Sequence, residues 1–99
     1  MNREYVIVSN KHSLLNGCLL FWGHLTKDNE TRSFSGYTND INSCERYTLE
    51  EIDKEHYHFP LFREETMDRR DIIYNEEIIV TIPQLEKLGF KTMNVMYLP

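Results

Sequence analysis

The sequence has few cysteines and no long apolar segment. Its two cysteines, Cys18 and Cys44, do not form a CxxC pair. Because a small domain that depends on disulfides usually has four or more cysteines, a disulfide scaffold is excluded, and we expect two buried thiols. No stretch approaches the ~20 apolar residues that cross a bilayer. The sequence therefore predicts no membrane partner and a location in the cytoplasm.

Basic residues are also in the minority. Eleven lysines and arginines stand against 16 acidic residues, which gives a net charge of −5. Because phosphates repel a protein of the same sign, this balance disfavours binding to duplex nucleic acid. The apolar fraction of 40% and the charged fraction of 27% are those of an ordinary globular protein and exclude a disordered chain. The length predicts a single domain over residues 1–99.

Two short apolar runs near the N-terminus predict the central strands of a sheet. Residues 5–8 and 19–22 are rich in β-branched and aromatic side chains and do not alternate with polar ones. Continuous apolar runs are typical of strands that are covered on both faces. The Asn-Gly pair at residues 16–17 predicts a β-hairpin between them. Residues 24–43 contain few apolar side chains and predict a loop followed by a short strand or turn.

The clearest local signal is a capping box at Thr48 and Glu51, which predicts a helix that begins at Leu49 and ends near residues 55–58. Tyr47 and Ile52 are spaced as the hydrophobic staple of that helix start. Residues 77–82 predict another strand, and residues 83–88 a short helix that ends at Gly89.

The remaining segments complete the predicted fold. Residues 92–98 have the pattern of an edge strand, which could pair with a second copy to form a homodimer. Residues 61–76 are too highly charged for a prediction of either helix or loop. The elements together predict an α+β fold: a small, mostly antiparallel sheet of about four or five strands, with one or two short helices packed on it.

No motif for catalysis, metal binding or a cofactor is present. The sequence lacks GxGxxG, GxxxxGK[ST] and GxSxG. His56 and His58, with Cys44 and Glu55, could approach one metal ion, but without a second close pair of ligands they indicate a partly exposed helix end. A carboxylate at residue 45 would disfavour a reactive thiolate at Cys44. We therefore expect a protein that is not an enzyme, with His12 as a general base only a weaker alternative.

Aromatic and basic side chains near the ends of the N-terminal strands predict a binding face. Aromatic rings stack on bases and basic groups hold phosphates, so this set could bind a small nucleotide. The alternative is that the rings simply belong to the core and its rim. The predicted ligand-binding residues are Lys11, His12, Trp22, His24, Arg32, Phe34, Tyr37 and Thr38.

The first half of the chain carries four short motifs: residues 5–13 (YVIVSNKHS), 19–23 (LLFWG), 36–38 (GYT) and 47–51 (YTLEE). In their order and approximate spacing they resemble a family of small uncharacterised proteins of phages and prophages. Ile82-Pro83 is similar to a Val-Pro that precedes a short leucine-containing helix in the family, and residues 27–32 form a longer polar insertion than the family has. The resemblance implies a phage origin, hence the host cytoplasm, and marks several residues of the predicted binding face.

Two functional hypotheses from different classes follow. The first is a phage counter-defence protein that sequesters a small nucleotide signal in a pocket, without catalysis. The second is an inhibitor whose acidic surface covers a basic site on a host protein involved in defence or nucleic-acid processing. The acidic residues of the second hypothesis are Glu50, Glu51, Asp53, Glu64, Glu65 and Asp68. A structural or accessory role in the phage is a weaker alternative.

Overall fold

A computed structural model of the protein describes residues 2–10, 18–92 and 96–97. Four strands form an open antiparallel sheet: β1 (Tyr5–Ser9), β2 (Leu20–Trp22), β3 (Tyr37–Thr38) and β4 (Glu77–Thr81), in the order β3-β2-β1-β4. The two apolar runs predicted as central strands are the central strands. The predicted antiparallel pairing of β1 with β2 is confirmed, whereas the Asn-Gly turn lies outside the described residues.

Each face of the sheet supports its own apolar cluster, because successive side chains of a strand point to opposite faces. On the first face, Val6 and Val8 pack with Phe21, Ile78 and Val80. On the second face, Ile7 and Ile79 lie opposite one another and pack with a group of aromatic rings. The prediction that both faces of the central strands are covered is therefore confirmed.

Helix α1 (Leu49–Lys54) begins where the capping box predicts. The backbone N–H of Glu51 donates to the Thr48 hydroxyl at 3.1 Å, and the Thr48 N–H donates to a Glu51 carboxylate oxygen at 2.8 Å. Tyr47 and Ile52 are both buried in the cluster of the second face, as the hydrophobic staple requires. Helix α1 thus covers part of the second face.

Two further helices cover the first face. Helix α2 (Arg69–Tyr74) lies in the segment without a prediction, where Asp68 accepts from the N–H of Arg70 and Asp71 completes a capping box. Helix α3 (Ile82–Lys87) begins one residue before the predicted start, because Thr81 and Gln84 form a third capping box. Gly89, with φ of +92°, follows its end as predicted. The fold is therefore the predicted α+β class, with three short helices.

The outer edge of β4 is covered by another segment, and the C-terminal strands do not join this sheet. The outer edge of β4 is covered by the segment before α2, since the Phe62 N–H donates to the Ile79 carbonyl at 2.8 Å and the Ile79 N–H to the Pro60 carbonyl at 2.9 Å. The C-terminal segment forms a separate antiparallel pair, β5 (Lys91–Thr92) with β6 (Met96–Tyr97), rather than one edge strand. Residues 93–95 and 98 of that predicted strand lie outside the described residues.

The remaining global predictions concern cysteines and membranes. Cys18 and Cys44 are free and buried, as predicted. No helix in the described part of the chain is long and apolar enough to span a bilayer.

Candidate functional site

The candidate site is a group of half-buried aromatic rings on the second face of the sheet, which we call the aromatic surface: Trp22, Phe34, Tyr37, Tyr57 and Phe59. Trp22 is its centre. The centroid of its ring lies 5.1 Å from that of Tyr57, 5.2 Å from Phe59 and 6.3 Å from Tyr37, in each case nearly perpendicular. Edge-to-face pairs of this kind add about 0.5–1.5 kcal/mol beyond the burial of their area.

The sheet and the chain after α1 bring these rings together. Trp22 lies directly opposite Tyr37 in the pairing of β2 with β3, so both side chains project from the same face. Tyr57 stacks between Phe34 and Phe59, with centroid distances of 5.4 Å and 5.3 Å. Tyr37 is the most open member, with 47% of its surface exposed. The rings form a continuous chain of contacts from an edge strand to the loop beside α1.

Sequence analysis missed Tyr57 and Phe59, which it did not include in the binding face. A signal was available, because Tyr57, Phe59 and Leu61 alternate with residues 58 and 60 and all three pack on the second face. His56 has a positive φ of 63° where the chain leaves α1, and His56 and His58 are exposed. No group of three or more side chains that could hold a metal ion occurs among the described residues.

The predicted binding residues do not all belong to this surface. Thr38 lies opposite Phe21, so its side chain is on the other face, where its hydroxyl accepts from the Asp40 N–H at 3.1 Å. The exposed His24 places its ring Nδ1 2.9 Å from the Ser33 hydroxyl. Lys11 and His12 lie outside the described residues.

Arg32 points into the protein instead of toward a ligand. Its side chain is only 5% exposed, and Nη1 lies 3.3 Å from a carboxylate oxygen of Glu45, which is completely buried. Nη2 donates to the carbonyls of Lys27 and Glu30. The sequence predicted a phosphate contact from the residue type; the fold instead uses this guanidinium to neutralise a buried carboxylate.

Glu45 is the centre of a buried hydrogen-bond network. Its carboxylate accepts from the backbone N–H groups of Thr26 (3.2 Å), Ser33 (2.9 Å) and Arg46 (3.0 Å), and from the Thr26 hydroxyl. Burial by itself would raise the pKa of Glu45, but these hydrogen bonds outweigh it and hold the pKa below the ordinary value. Glu45 is therefore a charged group in the folded protein.

A second arginine is also used internally. Arg3 Nε donates to both carboxylate oxygens of Glu51 at 3.0 Å, and Nη1 donates to Asp28 at 2.8 Å. Arg32 Nε lies 3.7 Å from the same Glu51 carboxylate. Burial opposes ionisation of Glu51, but the hydrogen bonds from Arg3 and the Thr48 N–H lower its pKa overall. Arg3 and Arg32 are thus both already paired with carboxylates.

The exposed charges on the two segments that form a cleft with Phe34, the loop before it and α1, are mostly negative. A cleft of about 200 Å³ lies between the loop at residues 30–34 and α1, with Phe34 in its wall, and it is smaller than the roughly 300–1,000 Å³ of usual small-molecule sites. The exposed charged side chains of residues 27–31 and 50–55 are the carboxylates Asp28, Glu30, Glu50, Asp53 and Glu55, and the amines Lys27 and Lys54.

Neither the Cys44 thiol nor the Ser33 hydroxyl, which lies beside the ring of His24, has the surroundings of an activated nucleophile. Burial raises the pKa of the Cys44 thiol, and this outweighs Arg46, whose Nη1 lies 2.8 Å from Sγ. The cause differs from the predicted one, because the Glu45 carboxylate is engaged in its own network. Ser33 is buried, and among the described residues no carboxylate forms a hydrogen bond with His24.

No family model matches the chain, and no curated protein and no solved structure matches it either.

Proposed function

We propose that this protein is a non-enzymatic binding protein whose aromatic surface and surrounding carboxylates cover a basic site on a partner protein. The observation that carries the proposal is the packing of Trp22, Tyr37, Tyr57 and Phe59 into one half-open surface. Tryptophan and tyrosine are the residues that most often dominate protein interfaces, because they bury a large area at little cost in side-chain entropy.

The charges beside the rings favour a basic partner. Arg3 and Arg32 are paired with Asp28, Glu45 and Glu51, so the arginines add little positive potential at the surface. Without Asp28, which Arg3 binds, the exposed carboxylates of residues 27–31 and 50–55 are Glu30, Glu50, Asp53 and Glu55, and they still outnumber the two exposed lysines. A partner with clustered lysines or arginines would gain both attraction during approach and desolvated ring contacts once bound.

The acidic residues named from the sequence do not form one face. Glu50 and Asp53 lie on α1, on the second face, whereas Glu64, Glu65 and Asp68 precede α2 and belong to the side of the first face. The Glu51 carboxylate accepts a hydrogen bond from Arg3 and is not available to a partner in the same way. The proposed interface therefore includes the exposed carboxylates of α1 and excludes those before α2.

The resemblance to small phage proteins supports a setting in the cytoplasm of a host cell, with a host defence or nucleic-acid-processing protein as the partner. Proteins of the latter class carry the basic surfaces that bind phosphates, which an acidic competitor can cover.

Sequestration of a small nucleotide is a second candidate. It is favoured by Tyr37, which is the most exposed ring of the surface and stands beside Trp22, where a base could stack. It ranks second because the Arg32 guanidinium is directed to Glu45 and the cleft beside Phe34 is small.

Site-specific photo-crosslinking tests the first candidate. A benzophenone amino acid is placed at position 37, and the protein is irradiated in bacterial lysate. Position 74 is the matched control, because Tyr74 is 79% exposed but lies on α2. We expect a discrete protein adduct from position 37 that is absent from position 74. The purified partner should bind with a dissociation constant that rises at least tenfold between 50 and 300 mM salt, as roughly expected for charge-steered association.

Three outcomes would overturn this candidate: no adduct from position 37, equal adducts from both positions, or binding that is insensitive to salt. The second candidate is tested by thermal shift against cyclic dinucleotides, cyclic oligonucleotides and cyclic NAD derivatives. A ligand at about 100 times its dissociation constant stabilises the folded state by about 2.7 kcal/mol. A shift that Tyr37→Ala abolishes would establish nucleotide binding instead.

A further inference from the structure

The loop at residues 24–35 has little regular structure of its own, yet it carries one member of the aromatic surface. Its described backbone hydrogen bonds to the rest of the protein include the Leu25 N–H to the Ser43 carbonyl at 2.8 Å, and the Glu30 N–H closes a turn onto Lys27 at 3.0 Å. Arg3 also pairs with Asp28 at 2.8 Å, and Phe34 stacks on Tyr57. A further set of contacts converges on residues 45–47.

The Glu45 carboxylate joins the two ends of this loop. It accepts from Thr26 near the beginning and from the Ser33 N–H near the end. The Tyr47 hydroxyl donates to the Ser33 carbonyl, so both backbone groups of Ser33 are held from the same segment. Arg32 adds a third connection, because it bonds Glu45 and the carbonyls of Lys27 and Glu30 at once.

Phe34 follows the anchored Ser33 directly. Its ring stacks on Tyr47 at 4.8 Å and on Tyr57 at 5.4 Å, in both cases 27° from parallel. Tyr57 in turn contacts Trp22 and Phe59. The position of Ser33 is therefore connected to Trp22, the centre of the aromatic surface, through two ring contacts: Phe34 with Tyr57, and Tyr57 with Trp22.

We propose that Glu45 is a positioning residue: its ionised carboxylate fixes the loop at residues 24–35 and thereby preorganises the aromatic surface for its partner. The part of this inference that concerns the partner rests on the proposed function. The part that concerns the loop does not, and it is tested without any partner. Preorganisation of this kind lowers the entropy that ordering the interface would otherwise cost on binding.

Native-state hydrogen exchange and the single tryptophan supply the test. In Glu45→Gln we expect amide exchange within residues 26–35 to accelerate about tenfold or more, with no comparable change in β1. We also expect acrylamide to quench Trp22 fluorescence more strongly. Glu50→Gln is the matched control, because it removes the same charge from an exposed position and should change neither reading.

Unchanged exchange at residues 26–35 would overturn the proposal. An equal acceleration in the loop and in β1 would also overturn it, because that pattern reports a loss of global stability rather than of loop position. If Glu45→Gln does not fold, Thr26→Val serves instead: it removes one hydroxyl donor and retains the carboxylate and Arg32. It should loosen the loop selectively, and exchange equal to wild type would contradict the proposal.

The proposal about the loop and the proposed function can be contradicted independently of one another. Absence of a partner adduct at position 37 overturns the proposed function and leaves the exchange data unaffected. Once a partner is in hand, Glu45→Gln should weaken its binding at least tenfold at a temperature where the variant remains folded. Glu65→Gln, which removes an exposed carboxylate outside the proposed interface, should leave the affinity unchanged. Equal affinity of Glu45→Gln and wild type would show that the loop does not preorganise the surface.

Discussion

The two faces of the sheet are covered in contrasting ways. The first face is closed by aliphatic and phenylalanine side chains and by α2 and α3, which contribute Ile72 and Leu85, both fully buried. The second face has a smaller buried cluster around Ile7, Tyr47 and Ile52, and most of the rings around it are only partly buried. One side of the molecule has its apolar surface removed from water, and the other leaves part of it accessible.

This difference in burial suits the first face to stabilising the fold and the second face to binding a partner. A closed apolar core stabilises the fold in proportion to the apolar area that it buries. Half-buried rings contribute less to the fold, but they keep area that a partner can still cover, and their contacts with each other hold them in place before binding. A buried carboxylate then supports the second face where the first relies on side-chain packing.

The largest expected effect contrasts one ring from each face. Phe21→Ala should lower the free energy of unfolding by about 3–5 kcal/mol, since it leaves a cavity in the first face. Phe59→Ala should cost about 1 kcal/mol, because Phe59 is only partly buried. Urea unfolding monitored by circular dichroism measures both. Equal losses would show that the second face is as much a folding core as the first.

The next contrast compares a buried ion pair with an exposed one. Arg32→Met should cost about 3–5 kcal/mol of unfolding free energy, because Glu45 is left as a buried charge without its cation. The double variant Arg32→Met/Glu45→Gln should recover part of that loss. Arg70→Met, which removes a surface partner of Asp68, should leave stability unchanged. A double variant no more stable than Arg32→Met would show that the guanidinium acts mainly through Lys27 and Glu30.

Two glycines with similar backbone angles give a smaller contrast. Gly36, with φ of +84°, has open space where a Cβ would be, so Gly36→Ala should cost about 1 kcal/mol of backbone strain alone. At Gly23, with φ of +75°, a Cβ would lie 2.5 Å from the Ser33 carbonyl and 2.9 Å from Glu45 Cβ and the Tyr47 hydroxyl. Gly23→Ala should therefore cost at least twice as much in urea unfolding. A cost equal to that of Gly36→Ala would mean that the loop can move away from residues 45–47.

Local sequence patterns predicted the parts of the fold that depend on neighbouring residues. Thr48 and Glu51 are three residues apart, so their mutual hydrogen bonds could be predicted from the sequence. The continuous apolar runs of β1 and β2 indicated that both strands are central in the sheet. The same logic applies to Asp68 and Asp71, where the cap was hidden among other charges. Helix starts are predictable because both partners lie within one turn.

The role of Glu45 could not be predicted in that way. Its donors at Thr26 and Ser33 are 19 and 12 residues distant and belong to a loop without a periodic pattern. An arginine close to aromatic residues in the sequence is typical of a ligand-binding site. Only the fold shows that the Arg32 guanidinium is already paired with a carboxylate from another segment. Pairing between distant polar groups depends on tertiary structure, which sequence periodicity does not encode.

The smallest expected effect is the loss of unfolding free energy as the pH falls from 7 into the acid range. Glu45 and Glu51 have pKa values below the ordinary carboxyl value in the folded protein, although burial raises both. Hydrogen bonds outweigh burial at Glu45, and hydrogen bonds together with the charges of Arg3 and Arg32 outweigh it at Glu51. Their contribution to stability is therefore complete above about pH 4.3, the usual carboxyl pKa of an unfolded chain, and is lost as the pH falls through the folded-state values. Unfolding free energy should be flat from pH 7 to 5 and should decline below pH 4.

Glu45→Gln separates the contribution of Glu45 to this acid sensitivity from that of Glu51, and Glu50→Gln is the control. Glu45→Gln should be less stable at pH 7 and should show a shallower decline in acid, because the charge that titrates has been removed. Glu50→Gln should retain the decline of the wild type, since Glu50 is exposed. If Glu45→Gln instead declines as steeply as wild type below pH 4, the acid sensitivity arises from Glu51 and Arg3. The loop would then be fixed by the neutral hydrogen bonds of Thr26 and Ser33, and not by the charge on Glu45.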